Sequence, residues 1–435
     1  MSGSPAHTVL PPTNDAGDNG PHLNTFVILH IVVQTIVWGF VFPIGMVLGL
    51  TRSKYHVPLQ TLGLAMTSIG FFLGHKHRWR HETGVQSTAH AVMARIIIVQ
   101  LVLQAASGIY LKLHPVGSKA RTIAVRTHGI LGKTFPIVGW TQMLLGVIAG
   151  LGYCLDGETP QCLAHYIMGS AFNGYACIML IMLHLGSEFL KRQGQSQEYL
   201  DSWVIMLWGI VNTFTMHHDD WLHSHWSHKD MQHTMLGVLW WSGGLLGIFL
   251  SRKGKRSFVP ALIIFVTGWG MSAHEQSLMI SSKIHGMFGY SLMAAGASRV
   301  VEICLFLQDG PSDPSNIKVF QYLPPYLLIL GGTMFMSATN EEMRHAQDAG
   351  IDHVTYGLGV FSISFLLFLH MTFLIHLYSA SGRNAASTKT PDIAGEGGYE
   401  PLQTNFQDYR DNDTGNGDDL ESLELDARGP SRCTS

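Results

Sequence analysis

The stretch TFVILHIVVQTIVWGFVFPIGMVLGL, residues 25–50, decides the fold. It contains no charged side chain, and as a helix rising about 1.5 Å per residue it is long enough to cross the roughly 30 Å hydrocarbon layer of a bilayer. Ten further mainly apolar stretches follow, at about 57–74, 88–111, 128–152, 163–187, 203–216, 233–250, 257–273, 284–306, 319–338 and 353–378, the sixth and eighth of them short. The chain as a whole fits this reading, because 46% of its 435 residues are hydrophobic and only 13% charged, where soluble domains carry about 25% charged residues. The sequence therefore predicts an all-α, polytopic transmembrane protein of about eleven spans that is embedded in a lipid bilayer. Its formal net charge of -3 and its dispersed Lys and Arg leave no basic face for nucleic acid.

Four regions are expected: a polar tail over 1–24, a four-helix core over 25–152, a seven-helix domain over 163–380, and an acidic tail over 381–435. Residues 392–426 are rich in Asp, Glu, Gly and Asn, so that last segment is expected to be disordered. The first 24 residues are polar and the first apolar run is of spanning length, so a cleavable signal peptide is not expected and that run should itself direct insertion. Thirteen Lys and Arg fall on the loops reached after odd-numbered spans, against six on the other side. By the positive-inside rule the amino terminus is expected outside or lumenal and the acidic tail cytosolic, in the plasma membrane or the vacuole. Cys154 and Cys162 flank a polar loop on the outer side by this count, where a disulfide is possible. The five cysteines include no CxxC, so a thiolate zinc site or an iron–sulfur cluster has no support.

Histidine is the anomaly of the composition, with 24 present. His30 and His90 lie near the outer starts of the first and third spans, at one depth. His56 and His128 open the second and fourth spans at the opposite face. Four antiparallel helices can thus offer two bis-imidazole sites, one toward each face, and a helical bundle core is where such a cofactor is held. Gly45, Gln60, Gly63, Gln104, Gly108, Gly132 and Gln142 lie nearby and include the small residues that admit a bulky macrocycle. Arg95 and Lys133 stand inside apolar runs five residues beyond proposed ligands and need partners, which haem propionates, a carboxylate or a carbonyl can supply. His75, His77 and His81 are rival ligands at the outer end.

This arrangement resembles the four-helix core of the cytochrome b-561 family of transmembrane electron carriers. The resemblance implies two b haems, His30 pairing with His90 and His56 with His128, and a cytosolic electron donor. It departs from the usual member in lacking a helix ahead of the core.

A second constellation lies in the other seven spans. MHHDDWLHSHWSHKDMQH, residues 216–233, carries His217, His218, Asp219, Asp220 and His223. His274 and Glu275 end the eighth span, His285 begins the ninth, and Glu342 and His345 follow the tenth. The helix count brings all of them to the outer face. Imidazole with carboxylate suits zinc, iron or copper. Asp220 with His223 and Glu342 with His345 have the carboxylate-x-x-His spacing that points two ligands to one helix face. Deeper in, Arg299 and Glu302 are spaced as a mutual charge pair, while His184, His370 and His376 suit interhelical hydrogen bonds. The stretches HHDDWLHSHWSHKDMQH, SAHEQSLMISSKIHGMFGYS and NEEMRHAQDAGIDH resemble the fungal Ytp-type integral membrane family over about residues 25–380. The reading these features support is transmembrane electron transfer through two haems, coupled to an outer-face metal site. The competing expectations are a metal-dependent lipid hydrolase with Glu275 or Asp219 as base, and a non-enzymatic metal-handling or scaffolding protein.

Overall fold

The computed structural model describes residues 25–76, 85–114, 118–154, 157, 159–215, 226, 228–273, 276–307, 310 and 312–385. Helix α1, Thr25–Leu50, passes through a π-helical turn at Val37–Val41. It is followed by α2 (His56–Lys76), α3 (Val85–Leu113), α4 (Lys119–Leu151), α5 (Thr159–Leu185), the short α6 (Ser187–Gln193), α7 (Gln197–Thr215) and α8 (His228–Leu250). Then come α9 (Val259–Ser272), α10 (Met279–Val301, continued as a π-helix to Leu307), α11 (Leu323–Met336), the short α12 (Asn340–Asp348) and α13 (His353–Ala380). Among the described residues nine helices are long and apolar enough to cross a membrane. The two that fall short, α7 and α9, are the sixth and eighth stretches of the sequence. Helix α9 has 14 residues, eight of them buried, so its backbone is sheltered by protein where its length, about 21 Å, does not reach across the bilayer.

Local chemistry sets the helix ends. Ser118 caps α4 by accepting the Arg121 N–H, and Gly152, at φ 68°, ends it in the left-handed conformation. Thr339 caps α12 by accepting the Glu342 N–H, and Asp352 caps α13. The end of the molecule holding His30 is called upper below, and the end holding His56 lower.

Two of the three buried layers among the described residues set the frame. In α1–α4 the layer is Val37, Trp38, Phe42, Ile97 and Phe135. Trp38 stacks on Phe135 with ring centroids 5.5 Å apart, and Phe42 meets both edge-on. In α5–α13 a larger core is built around Ile284, Phe288, Leu292, Ile329 and Met334. Meanwhile Ile130, Ile137, Phe214, Leu305, Leu358 and Leu366 are each more than 60% exposed. Large apolar side chains this exposed are tolerable on a lipid-facing surface and a liability in water. The two layers meet where the Trp140 Nε1–H donates to Ser170 Oγ at 2.9 Å and where His370 of α13 faces Phe40 of α1. Cys154 and Cys162 are joined in a disulfide.

Candidate functional site

Each of the four core histidines rests on one turn of an antiparallel neighbour, and that turn has the same form every time. His30 donates Nδ1–H to the Gly70 carbonyl at 2.6 Å, and its ring lies on Gly74, four residues further on. His56 donates Nδ1–H to the Gly45 carbonyl at 2.7 Å and lies on Gly49. His128 donates Nδ1–H to the Gln104 carbonyl at 3.2 Å and lies on Gly108. His90 addresses the turn from Gln142 to Gly146, whose Gln142 amide donates to the His90 carbonyl at 3.2 Å. Its Nδ1 is buried with no partner among the described residues. A Cβ at Gly74 or Gly49 would stand 2.5 or 2.8 Å from the imidazole and force the ring to shift, and one at Gly108 or Gly146 would press on it at 3.1 or 3.3 Å.

A carbonyl only accepts, so Nδ1 of His30, His56 and His128 carries the proton, and in the neutral ring Nε2 is the acceptor, which at His128 lies 3.5 Å from the Gln104 amide nitrogen and at His90 3.4 Å from that of Gln142. An Nδ1–H held by a backbone carbonyl is the usual support of a metal-ligating imidazole, fixing both tautomer and ring angle. The His56 and His128 rings stand with centroids 6.3 Å apart and planes at 89°, an edge-type arrangement. That separation would admit an iron held by both imidazoles, which would supply its one-electron chemistry there. Both rings line a cavity of about 220 Å³ with Phe42, Gly49, Gln60, Gly132 and Lys133. The residues therefore fit a bis-imidazole iron, with Lys133 at the wall for an acidic substituent. At the upper end His30 and His90 stand on α1 and α3, helices that run in the same direction. The Trp38–Phe42–Phe135 layer lies between the two pairs in the chain's antiparallel order. Arg95 is exposed and donates weakly to the Ala91 carbonyl of its own helix, so its partner is local. The side chains of His75, His77 and His81 lie outside the described residues.

Of the outer-face candidates, His217, His218, Asp219, Asp220, His223, His274 and Glu275 also lie outside the described residues. His285, Glu342 and His345 are described, each with a partner that sequence reasoning had not assigned. Glu342 Oε1 accepts from the Tyr356 hydroxyl at 2.8 Å, and His345 Nδ1 is 3.0 Å from the Tyr153 hydroxyl. The Glu342–His345 spacing does fall on a helix, α12, but each member is held by a tyrosine from a different segment. His285 turns instead to His165 of α5, with Nε2 atoms 3.3 Å apart. His165 was absent from the sequence candidates. Its signal was a histidine inside an apolar run, and its partner stands 120 residues away. Cys154, Cys162 and Glu341 crowd together nearby, but the two sulfurs are bonded to each other and Glu341 accepts the Cys154 N–H at 2.7 Å.

Burial pushes the Glu342 carboxyl up to about 7 from its ordinary 4.5. The folded protein then holds a proton there that the unfolded chain releases, so this contribution to stability is complete below about pH 4.5 and is lost as pH rises through about 7. Its size is on the order of 3 kcal/mol. Glu342→Gln is expected to flatten that part of the pH–stability curve and to stabilise the protein at pH 8 relative to wild type, as read by thermal unfolding in detergent at pH 5 and pH 8.

At the lower end the Arg299–Glu302 pair expected from the sequence is present at 2.7 Å, as one edge of a larger network. Arg299 also donates to Glu198 at 2.9 Å, and Arg256 donates to both Glu198 oxygens at 2.7 and 2.9 Å. Arg256 further donates to the Gly310 carbonyl, and Gln321 to Glu302 at 3.2 Å. Glu198 and Glu302 are each 1% exposed. Glu198 and Arg256 were not legible as partners, since 58 residues and two spans separate them. The hydrogen bond expected of His184 is made, by the Tyr322 hydroxyl at 3.1 Å.

Two stretches of the chain, residues 138–258 and 253–379, match the family described as "Protein YTP1-like, C-terminal", and together they cover more than half of it. The chain belongs to the YTP1-like family. Residues 12–114 match a domain of unknown function, DUF2427. Protein YTP1 of Saccharomyces cerevisiae is 45% identical over 242 residues, which is 56% of this chain and 52% of that protein. The chain thus spans about half the length of that relative. An uncharacterized membrane protein of Schizosaccharomyces pombe is 22% identical over 75% of this chain and 90% of its own. A second uncharacterized membrane protein of Saccharomyces cerevisiae is 25% identical over 60% of this chain and 43% of its own. No solved structure matches. The YTP1-like match begins inside α4 and takes in the His165–His285 pair and the buried charge network. The core histidines His30, His56 and His90 fall in the DUF2427 match, and His128 lies between the two.

Proposed function

We propose that this multi-pass membrane protein carries electrons across the bilayer between two b haems, one held by His30 and His90 and the other by His56 and His128. The observation that carries the reading is the fourfold repeat in which an imidazole sits on a glycine turn, with Nδ1–H committed to a carbonyl for three of the four rings. Packing alone gives no common reason for four histidines to lie on the same kind of turn in matched pairs at two depths. When bound, haem supplies a one-electron couple whose potential is set by its axial ligands and burial.

The chain's own part is to bind, orient and insulate. The carbonyl bonds hold the rings, the glycines admit them, and the Trp38, Phe42 and Phe135 layer keeps water from the path between the pairs. Rings fixed in this way need little rearrangement on a change of iron charge. The electron source is a cytosolic donor at the lower end, and an outer-face metal site is the acceptor or a further cofactor.

The test is a dithionite-reduced minus oxidised spectrum of the purified full chain, with haem quantified on the same sample. Sharp b-type bands at two haems per chain are expected. A colourless protein after expression with haem supplied would overturn the reading.

A further inference from the structure

We propose that Asp201 is the carboxyl of an exchangeable proton-binding site at the lower end, reached by water through two small cavities that share Arg299 as a wall. The site is independent of the haem reading. Asp201 stands on α7, one turn beyond Glu198, and is 6% exposed. Glu198 is ion-paired with Arg256 and Arg299, and Glu302 with Arg299. Among the described residues Asp201 has no such pair. Three buried carboxyls thus stand with two guanidinium groups, and a guanidinium keeps its proton in proteins. With all three carboxyls ionised, the interior would hold one uncompensated negative charge. A low-dielectric site relieves that charge by taking up a proton. The carboxyl that takes it is the one with no cation of its own.

The surroundings of Asp201 suit exchange. A cavity of about 20 Å³ is lined by Asp201 and Glu198 of α7, Tyr175 of α5 and Arg299 of α10, with Ile264 of α9 and Leu328 of α11 on its apolar side. That is room for one water molecule. The Tyr175 hydroxyl hydrogen-bonds to Asp201, and such a donor supports the carboxylate when the proton leaves. A second cavity, of about 10 Å³, is lined by Arg299, Glu302, Gln197, Gln321 and Ser312. Gln197 is 7% exposed, and its amide nitrogen is buried without a partner among the described residues. A buried water satisfies donors of this kind. Ser312 is half-buried and adjoins the exposed Asp313, so the second cavity lies at the edge of the lower face. No further charged side chain and no residue of α8 lines either cavity, and Arg256 meets Asp201's neighbour Glu198 instead. A polar way therefore leads from Ser312 past Gln197 and Arg299 to Asp201. Carboxyls placed like this inside helical membrane proteins mark proton paths.

The experiment records infrared spectra of the detergent-purified full chain along an alkaline titration, in light and in heavy water. The Glu342→Gln background removes the other protonated carboxyl. The spectrum of that chain minus its Asp201→Asn derivative is expected to show the C=O band of a carboxylic acid near neutral pH. The band should vanish at high pH and move to lower frequency in heavy water without unfolding. Tyr175→Phe keeps the carboxyl and removes its donor, so the band should survive to a pH roughly one unit higher. A difference spectrum without the band overturns the proposal. If sodium chloride, but not choline chloride, then stabilises the chain only while Asp201 is present, a metal cation meets the charge instead. A band that stays put in heavy water also overturns it, since the proton is then sealed in. Should Asp201→Asn fail to fold, the Tyr175→Phe titration decides, and an unchanged midpoint sinks the assignment.

Discussion

His30→Ala and His90→Ala are expected to give one phenotype, and His56→Ala and His128→Ala another. Each variant of the first group loses one haem, the same one, and keeps the second. Each variant of the second group does the reverse, so haem per chain falls by half in all four. The pairing follows from the fold. His30 lies on α1 and His90 on α3, helices that run in the same direction, and His56 and His128 share the opposite end on α2 and α4. Reduced-minus-oxidised spectra with potentiometric titration distinguish the two centres, since burial and axial setting give each its own potential.

A companion series separates ligation from packing. A side chain at Gly108 would press on His128, and one at Gly49 on His56, whereas Gly129 has nothing within 4 Å of its would-be Cβ. Gly108→Leu and Gly49→Leu should therefore lose the lower haem alone, and Gly129→Leu neither. If all three behaved alike, or if the four histidine variants failed to sort into two pairs, the di-haem assignment would fall.

Glu198→Leu should cost about 3–5 kcal/mol, the expense of leaving buried charges without their counter-ion. Glu198 is the hub that accepts from both Arg256 and Arg299. Removing it leaves Arg256 without its carboxylate and Arg299 paired with Glu302 alone, in an interior where the group they shared was 1% exposed. Arg299→Met should cost less, because Glu198 keeps Arg256 and Glu302 keeps Gln321. The control is Lys191→Ala. Lys191 pairs with Glu188 at 3.2 Å but its side chain is 60% exposed, so its loss should fall within about 1 kcal/mol. Unfolding in mixed detergent micelles with increasing dodecyl sulfate ranks the three. A Glu198→Leu protein as stable as the Lys191→Ala control would mean that the network is not buried as described.

The run at residues 25–50 and its ten successors settled by themselves that this is an all-helical membrane protein, and the span limits agree with the observed helices to within a few residues in most cases. That much is legible because hydrocarbon imposes a length and a composition on each span separately, with no help from its neighbours. Helix direction also follows from counting spans, and with it the equal depth of His30 with His90 and of His56 with His128. The possible Cys154–Cys162 link was readable for the same reason, as both flank one short loop.

What a helix meets sideways was not readable. The glycine turn beneath each core histidine belongs to another helix. His165 and His285, Glu198 and Arg256, and Tyr356 and Glu342 come together only when distant spans pack. Lateral partners are chosen by rotation about each helix axis and by the close approach that small residues allow. A spacing such as Glu342 to His345 reports the face of one helix and is silent about what lies opposite. Tertiary packing therefore decided that Glu342 and His345 bind tyrosines, that His285 faces His165, and that Arg299 and Glu302 are one edge of a five-residue network with Glu198, Arg256 and Gln321.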